Sequence, residues 1–172
     1  FLTAARASIA AVLGWALLHA LGQRRPAAAV LPALAVVALG VVVGFPLLTA
    51  LALQHVSSAH SIVFLGLLPL STAVFGVLRG GERLRPAFWG FSLLGSVVVV
   101  GYALGNGIEA SLQGDLLMLA AVVVCGLGYA EGARLARTLG GWQVISWALV
   151  VSLPVMLPLM LLRWPASWAQ VG

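Results

Sequence analysis

Lysine is absent from this 172-residue chain, acidic residues number four, and cysteine appears once. Each shortage closes off a class of protein. With 8% charged residues against 62% hydrophobic ones and a mean hydropathy of +1.13, the chain has too little polar surface to solvate a water-soluble globule. The nine basic residues are all Arg and bring the net charge to +5, yet they are scattered at the ends of apolar runs and form no patch. Nucleic acid is therefore excluded as a partner. The lone Cys125 excludes an intrachain disulfide. No stretch alternates apolar and polar residues over the ~10 positions that a membrane barrel strand needs. A His-Glu-x-x-His helix is missing, and nothing marks a serine with a histidine at matching depth, which argues against an intramembrane enzyme. No cofactor or metal is expected. His55 and His60 stand five residues apart, whereas ligands on one helix face want three or four, and no acid accompanies them in sequence.

What the chain does have is apolar length. Spans can be marked at about 2–21, 28–53, 58–78, 86–104, 115–138 and 142–162, each near the ~20 residues that cross a hydrocarbon core of ~30 Å. The charge-free stretch from Pro26 to Leu78 would be roughly 80 Å long as one helix, so it must fold back on itself. Gln54-His55-Val56-Ser57-Ser58 is the natural break. Gly105-Asn106-Gly107 and Gly140-Gly141 mark two more turns, and Asp115 suits the first turn of the fifth span. The reading is all-α: a polytopic transmembrane helix bundle of six visible spans joined by short loops.

Arginine placement orients it. Arg24 and Arg25, Arg79, Arg83 and Arg85, then Arg134 and Arg137 follow spans one, three and five, while the other side holds only Arg6 and Arg163 with Glu109 and Asp115. The positive-inside rule puts the first group in the cytoplasm and starts Phe1 outside. The chain begins without Met or a signal-peptide pattern and reads as trimmed. The end of span one, Leu21-Gly22-Gln23-Arg24-Arg25-Pro26, is echoed by Leu161-Leu162-Arg163-Trp164-Pro165 on the opposite side, as an inverted repeat predicts.

From Pro69 to Pro86 an apolar helix interrupted by proline runs into Arg79-Gly80-Gly81-Glu82-Arg83-Leu84-Arg85 and out into a second helix. Together with Ala52-Leu53, Ser57-Ser58-Ala59, the Gly81-Glu82-Arg83-Leu84 turn, Gly90, Gly95 and Gly101, and with Ala5-Arg6 upstream, this resembles the EamA family of the drug/metabolite transporter superfamily. The resemblance implies ten helices in two inverted five-helix repeats. Residues 1–107 then correspond to the first repeat without its first helix, and 114–172 to the first two helices of the second, so the chain would be truncated at both ends. It also implies a cytoplasmic Gly81-Glu82 turn in the cell membrane, with Pro69, Gly81, Glu82, Arg83 and Leu84 as scaffold.

Candidate pathway residues follow from rare polar and aromatic side chains. Arg6 lies one turn inside span one, where it either attracts an anion in an outer vestibule or anchors at the interface. Ser8, Trp15 and His19 form that helix's polar and aromatic stripe. Gln54, His55 and His60 surround the turn between spans two and three, and read as surface-turn residues unless a histidine there senses protons. Glu131 and Arg134 at i+3 read as an interface pair, and Glu82 as the organiser of its own Arg-rich turn. Cys125, Tyr129 and Gly132 share one face of span five, and Gln143, Trp147 and Val150 one face of span six. Tyr129 and Trp147 either wall an amphipathic solute or pack helices. Four GxxxG pairs, Gly40/Gly44, Gly76/Gly80, Gly101/Gly105 and Gly128/Gly132, allow close helix approach within the chain or in a homodimer. Pro46, Pro69, Pro154 and Pro158 set kinks.

The expected function is a secondary transporter exporting small metabolites, such as amino acids or amphipathic drugs, with the lipid bilayer and the solute as partners. The alternative is a non-transporting structural or regulatory membrane subunit.

Overall fold

A computed structural model describes residues 1–105 and 111–164. The turn expected at Asn106-Gly107, Glu109, Pro165 and the rest of the C-terminal stretch lie outside the described residues. All the described elements are helical: α1 (Leu2–Ala20), α2 (Leu31–Val37), α3 (Phe45–Ala52), α4 (Ser58–Leu65), α5 (Leu68–Gly80), α6 (Pro86–Gly105), α7 (Leu112–Leu139) and α8 (Gly141–Leu162). They make a polytopic helical bundle. Leu2–Ala20, Ala28–Ala52, Ser58–Gly80, Leu112–Leu139 and Gly141–Leu162 are each long and apolar enough to cross a bilayer, and α6 is a further apolar helix.

Prolines and glycines decide where the spans bend. Pro46 has no N–H to give and would press on the carbonyl four residues back, and the chain answers with a π-helical stretch over Ala38–Gly44 immediately before it. A Cβ on Gly44 would lie 2.5 Å from the Leu39 carbonyl oxygen, so glycine is needed there. The third span is two helices rather than one. α4 stops at Gly66, and α5 restarts with Pro69 in its first turn, where the missing donor costs nothing. α5 ends on Gly81 in the left-handed conformation (φ 63°), with the Gly81 N–H donating to the Val77 carbonyl at 3.2 Å. Pro154 and Pro158 are instead carried inside an unbroken α8.

α7 is the spine. It buries Met118, Ala121, Val122, Cys125, Gly126, Gly128, Ala130, Glu131 and Leu135 against the second span, α5 and α8. Backbones touch where side chains vanish: a Cβ on Gly40 would collide with the Val124 carbonyl oxygen and sit 3.0 Å from Gly128 Cα. Ser71 on α5 likewise occupies the space above Gly126 and donates its hydroxyl hydrogen to the Val122 carbonyl at 3.2 Å. Two of the GxxxG pairs, Gly40/Gly44 and Gly128/Gly132, therefore meet inside one chain. Gly76 and Gly80 face the Glu82 side chain, and Gly101 faces open space.

α1 packs on α8 in antiparallel fashion through small residues. Gly14 faces Ser146 near one end, and the Phe1 and Trp164 rings meet edge to face at 5.4 Å at the other. α6 is outermost. It leaves Phe91, Leu93, Leu94, Val97 and Val98 more than half exposed, which lipid tolerates and water does not. The Arg-bearing turns after spans one, three and five gather at one end of the bundle, as Arg25 lies beside the first turns of α8 and Glu82 pairs with Arg137.

Candidate solute cavity and polar ties

Gly22 adopts φ 60° after α1, and the Gln23 N–H donates back to the Leu18 carbonyl at 2.9 Å. This folds the chain over the end of the helix, so that Gln23 and Arg25 face the same space as Trp15, Leu18 and His19. Across it, α8 contributes Trp147 and Val150. The result is a cavity of about 410 Å³ at the Arg-bearing end. Each Trp immediately follows the small residue at the helix contact, Gly14 or Ser146, so the close approach of the two backbones sets both indoles around one space. Trp15 and His19 stack edge to face with centroids 4.6 Å apart. Arg25 supplies a permanent cation, Gln23 an amide, His19 an imidazole, and among the described residues no acid lines the cavity. A solute with an apolar body and an anionic or neutral polar head is matched by this lining.

The structure thus unites Trp15, His19 and Trp147 and separates the other candidates from them. Tyr129 lines a second cavity of about 240 Å³ with Val37, Gly132 and Val144, so it does not share a solute wall with Trp147. Its face-mate Cys125 lies within side-chain hydrogen-bond reach of it and is wholly buried, while Tyr129 itself is 45% exposed. Arg6 is exposed on α1, and Ser8, expected on the stripe of Trp15, is buried with its hydroxyl unpaired. Gln54 and His55 are exposed in the turn after α3 and line neither cavity. Nothing in the sequence marks Gln23 and Arg25 as lining residues, because only the backbone reversal at Gly22 brings them inward.

Polar ties join the third span to α7 at both ends. At the Arg-bearing end Glu131 is fully buried, with Oε2 3.3 Å from the Arg79 guanidinium and Oε1 accepting from Arg134. The i+3 pair read from sequence is present, but it is a buried triad with a second arginine from α5. Glu82 reaches across to Arg137 on α7 at 2.5 Å, rather than to the arginines of its own turn. At the opposite end His60 Nε2 lies 2.5 Å from Asp115 Oδ1, and His60 is only 8% exposed. His60 is thus no surface-turn residue, and an acid does accompany it, from 55 positions away. Among the described residues no group of three or more His, Cys, Asp and Glu is placed to hold a metal ion.

No family model and no solved structure matches the chain. It is 65% identical, over its whole length of 172 residues, to a protein of Bacillus subtilis (strain 168) named uncharacterized transporter YdeK, and it spans 60% of that relative's length.

Proposed function

We propose that the chain is part of an integral-membrane secondary carrier of the EamA type, exporting small amphipathic metabolites or drugs from the cytoplasm. The observation that carries this reading is the two-indole cavity between α1 and α8, placed at the Arg-bearing end and backed by an antiparallel seam of small residues. In the ten-helix scheme α1 and α8 are the second helices of the two repeats, residues 1–107 and 114–172. Their antiparallel packing is the arrangement that an axis in the membrane plane would impose on such a pair. The name of the relative supports transport, and the gathering of Arg25, Arg79, Arg134 and Arg137 at one end supports a cytoplasmic position for that end, with the Gly81-Glu82 turn. Solute would enter the cavity from the cytoplasm, lay its apolar body between Trp15 and Trp147 and leave when the two repeats rock about it.

Vesicles reconstituted with the full-length protein test this. Trp15→Ala and Trp147→Ala should each lower the transport of an amphipathic carboxylate about tenfold, the scale of losing one buried aromatic contact. Arg25→Gln should weaken the handling of anionic solutes while sparing neutral ones. Transport by neither the parent nor any variant above empty vesicles would leave a structural or regulatory membrane subunit as the reading.

A further inference from the structure

The polar ties between the third span and α7 differ in kind at the two ends. At the Arg-bearing end they are guanidinium–carboxylate pairs. At the far end the tie is a histidine with a carboxylate, and histidine is the side chain whose charge changes across physiological pH. The local build holds His60 firmly. Ser57 caps α4 by accepting from the His60 backbone N–H at 3.2 Å, and Phe64 packs beside the imidazole with centroids 5.5 Å apart. Asp115 is presented from the first turn of α7, where Ser111 is the cap.

Oδ1 of Asp115 selects the tautomer with hydrogen on Nε2, because a carboxylate can only accept. That leaves Nδ1 of His60 as a bare acceptor, buried and without a hydrogen-bond partner. A buried nitrogen lone pair on a group already bonded to a carboxylate is a place for a proton to add: Nδ1 takes it, and a hydrogen bond from a neutral imidazole to the carboxylate becomes an imidazolium–carboxylate pair. Among the described residues the other ionisable group facing this pocket is His55, whose Cβ lies against Gly114 beside Asp115. α3, the rest of α4 and the described side chains of α6 bring none.

We propose that His60 and Asp115 form a proton-binding site that governs opening at this end of the bundle. This rests on the carrier reading for its consequence in transport, and on geometry alone for the latch itself. With Nδ1 protonated, α4 and α7 are held together by an ion pair. With it neutral, the tie weakens and the end opposite the Arg-bearing turns is freed to part, while the arginine ties at the other end are unaffected.

Two measurements on the full-length protein, with every native cysteine, Cys125 included, replaced by alanine, test the site. The first reads the latch without any solute: Val56→Cys, at a buried position against Gly114, is labelled with a small thiol reagent at about pH 5.5 and about pH 7.5. Relative to the same cysteine with His60→Gln, which keeps an N–H for Asp115 but binds no proton, labelling should be slowed several-fold at the acid value and match at the alkaline one. The second reads transport: the parent should speed up about fivefold between those two pH values on the outer face, and His60→Gln and Asp115→Asn should be flat. Equal labelling with histidine and with glutamine at both values, or a pH profile that survives in His60→Gln, overturns the proposal. Labelling as expected without any transport sinks the carrier reading and leaves the proton site standing.

Discussion

Gly40→Leu is expected to destroy the bundle. The backbones of the second span and α7 meet at Gly40 and Gly128, and a side chain at position 40 would run into the Val124 carbonyl and the Gly128 Cα, both of them backbone. No flexible side chain is there to swing aside, so the two spans must separate. The helices around this point, Leu34, Val37, Ala38 and Val42 with Leu135, Val144 and Ala148, would lose a common core. Overpacking costs about 1–3 kcal/mol where neighbours can adjust, and a backbone clash belongs at or above the top of that range. Thermal unfolding in detergent, or recovery of folded monomer, reads the effect. Gly90→Leu on α6 is the control, since a Cβ there meets nothing within 4 Å, and its midpoint should match that of the parent. Equal recovery of the Gly40 variant would show that the second span and α7 do not pack as described.

The second large effect comes from stranding Glu131. Its carboxylate is wholly buried, and the half-exposed guanidiniums of Arg79 and Arg134 are its compensation. Removing one arginine leaves the other in place, so each single alanine variant should cost about 1 kcal/mol or less, the scale of a half-solvated pair. Removing both leaves a buried charge without a partner, which costs about 3–5 kcal/mol. The losses are therefore expected to be far from additive. Glu131→Gln in the double variant should restore most of the stability, because the stranded charge is gone. Denaturant titration of the parent and the four variants settles the matter. A double variant as stable as the parent would mean that the Glu131 charge is held by something else.

How much of this could be read from the sequence depends on what each residue responds to. Span existence and order follow from local composition, and the turn at Gln54–Ser57, the cap at Gly81 and the restart at Pro69 follow from single-residue backbone chemistry. The Glu131–Arg134 pair follows from helical spacing. What failed to show was set by tertiary fold-back. Asp115 meets His60 across 55 positions, Arg79 joins Glu131 across 52, and Gln23 and Arg25 turn inward only because Gly22 adopts positive φ. Trp15 and Trp147 were each visible as rare side chains on an apolar helix, but that they share a cavity is a property of the Gly14–Ser146 contact. Tyr129 had the same sequence credentials and faces elsewhere, since its direction is fixed by how α7 is rotated against the second span.

The most direct test of the membrane carrier as drawn is the position of its two ends. In cells expressing the full-length protein with every native cysteine, Cys125 included, replaced by alanine, Arg83→Cys and Gln54→Cys place single thiols at exposed positions of opposite turns. A membrane-impermeant maleimide should label the cysteine at 54 in intact cells and the one at 83 only after permeabilisation. Labelling of position 83 in intact cells, or of both positions alike, would contradict a bundle that spans the bilayer with its arginine turns inside.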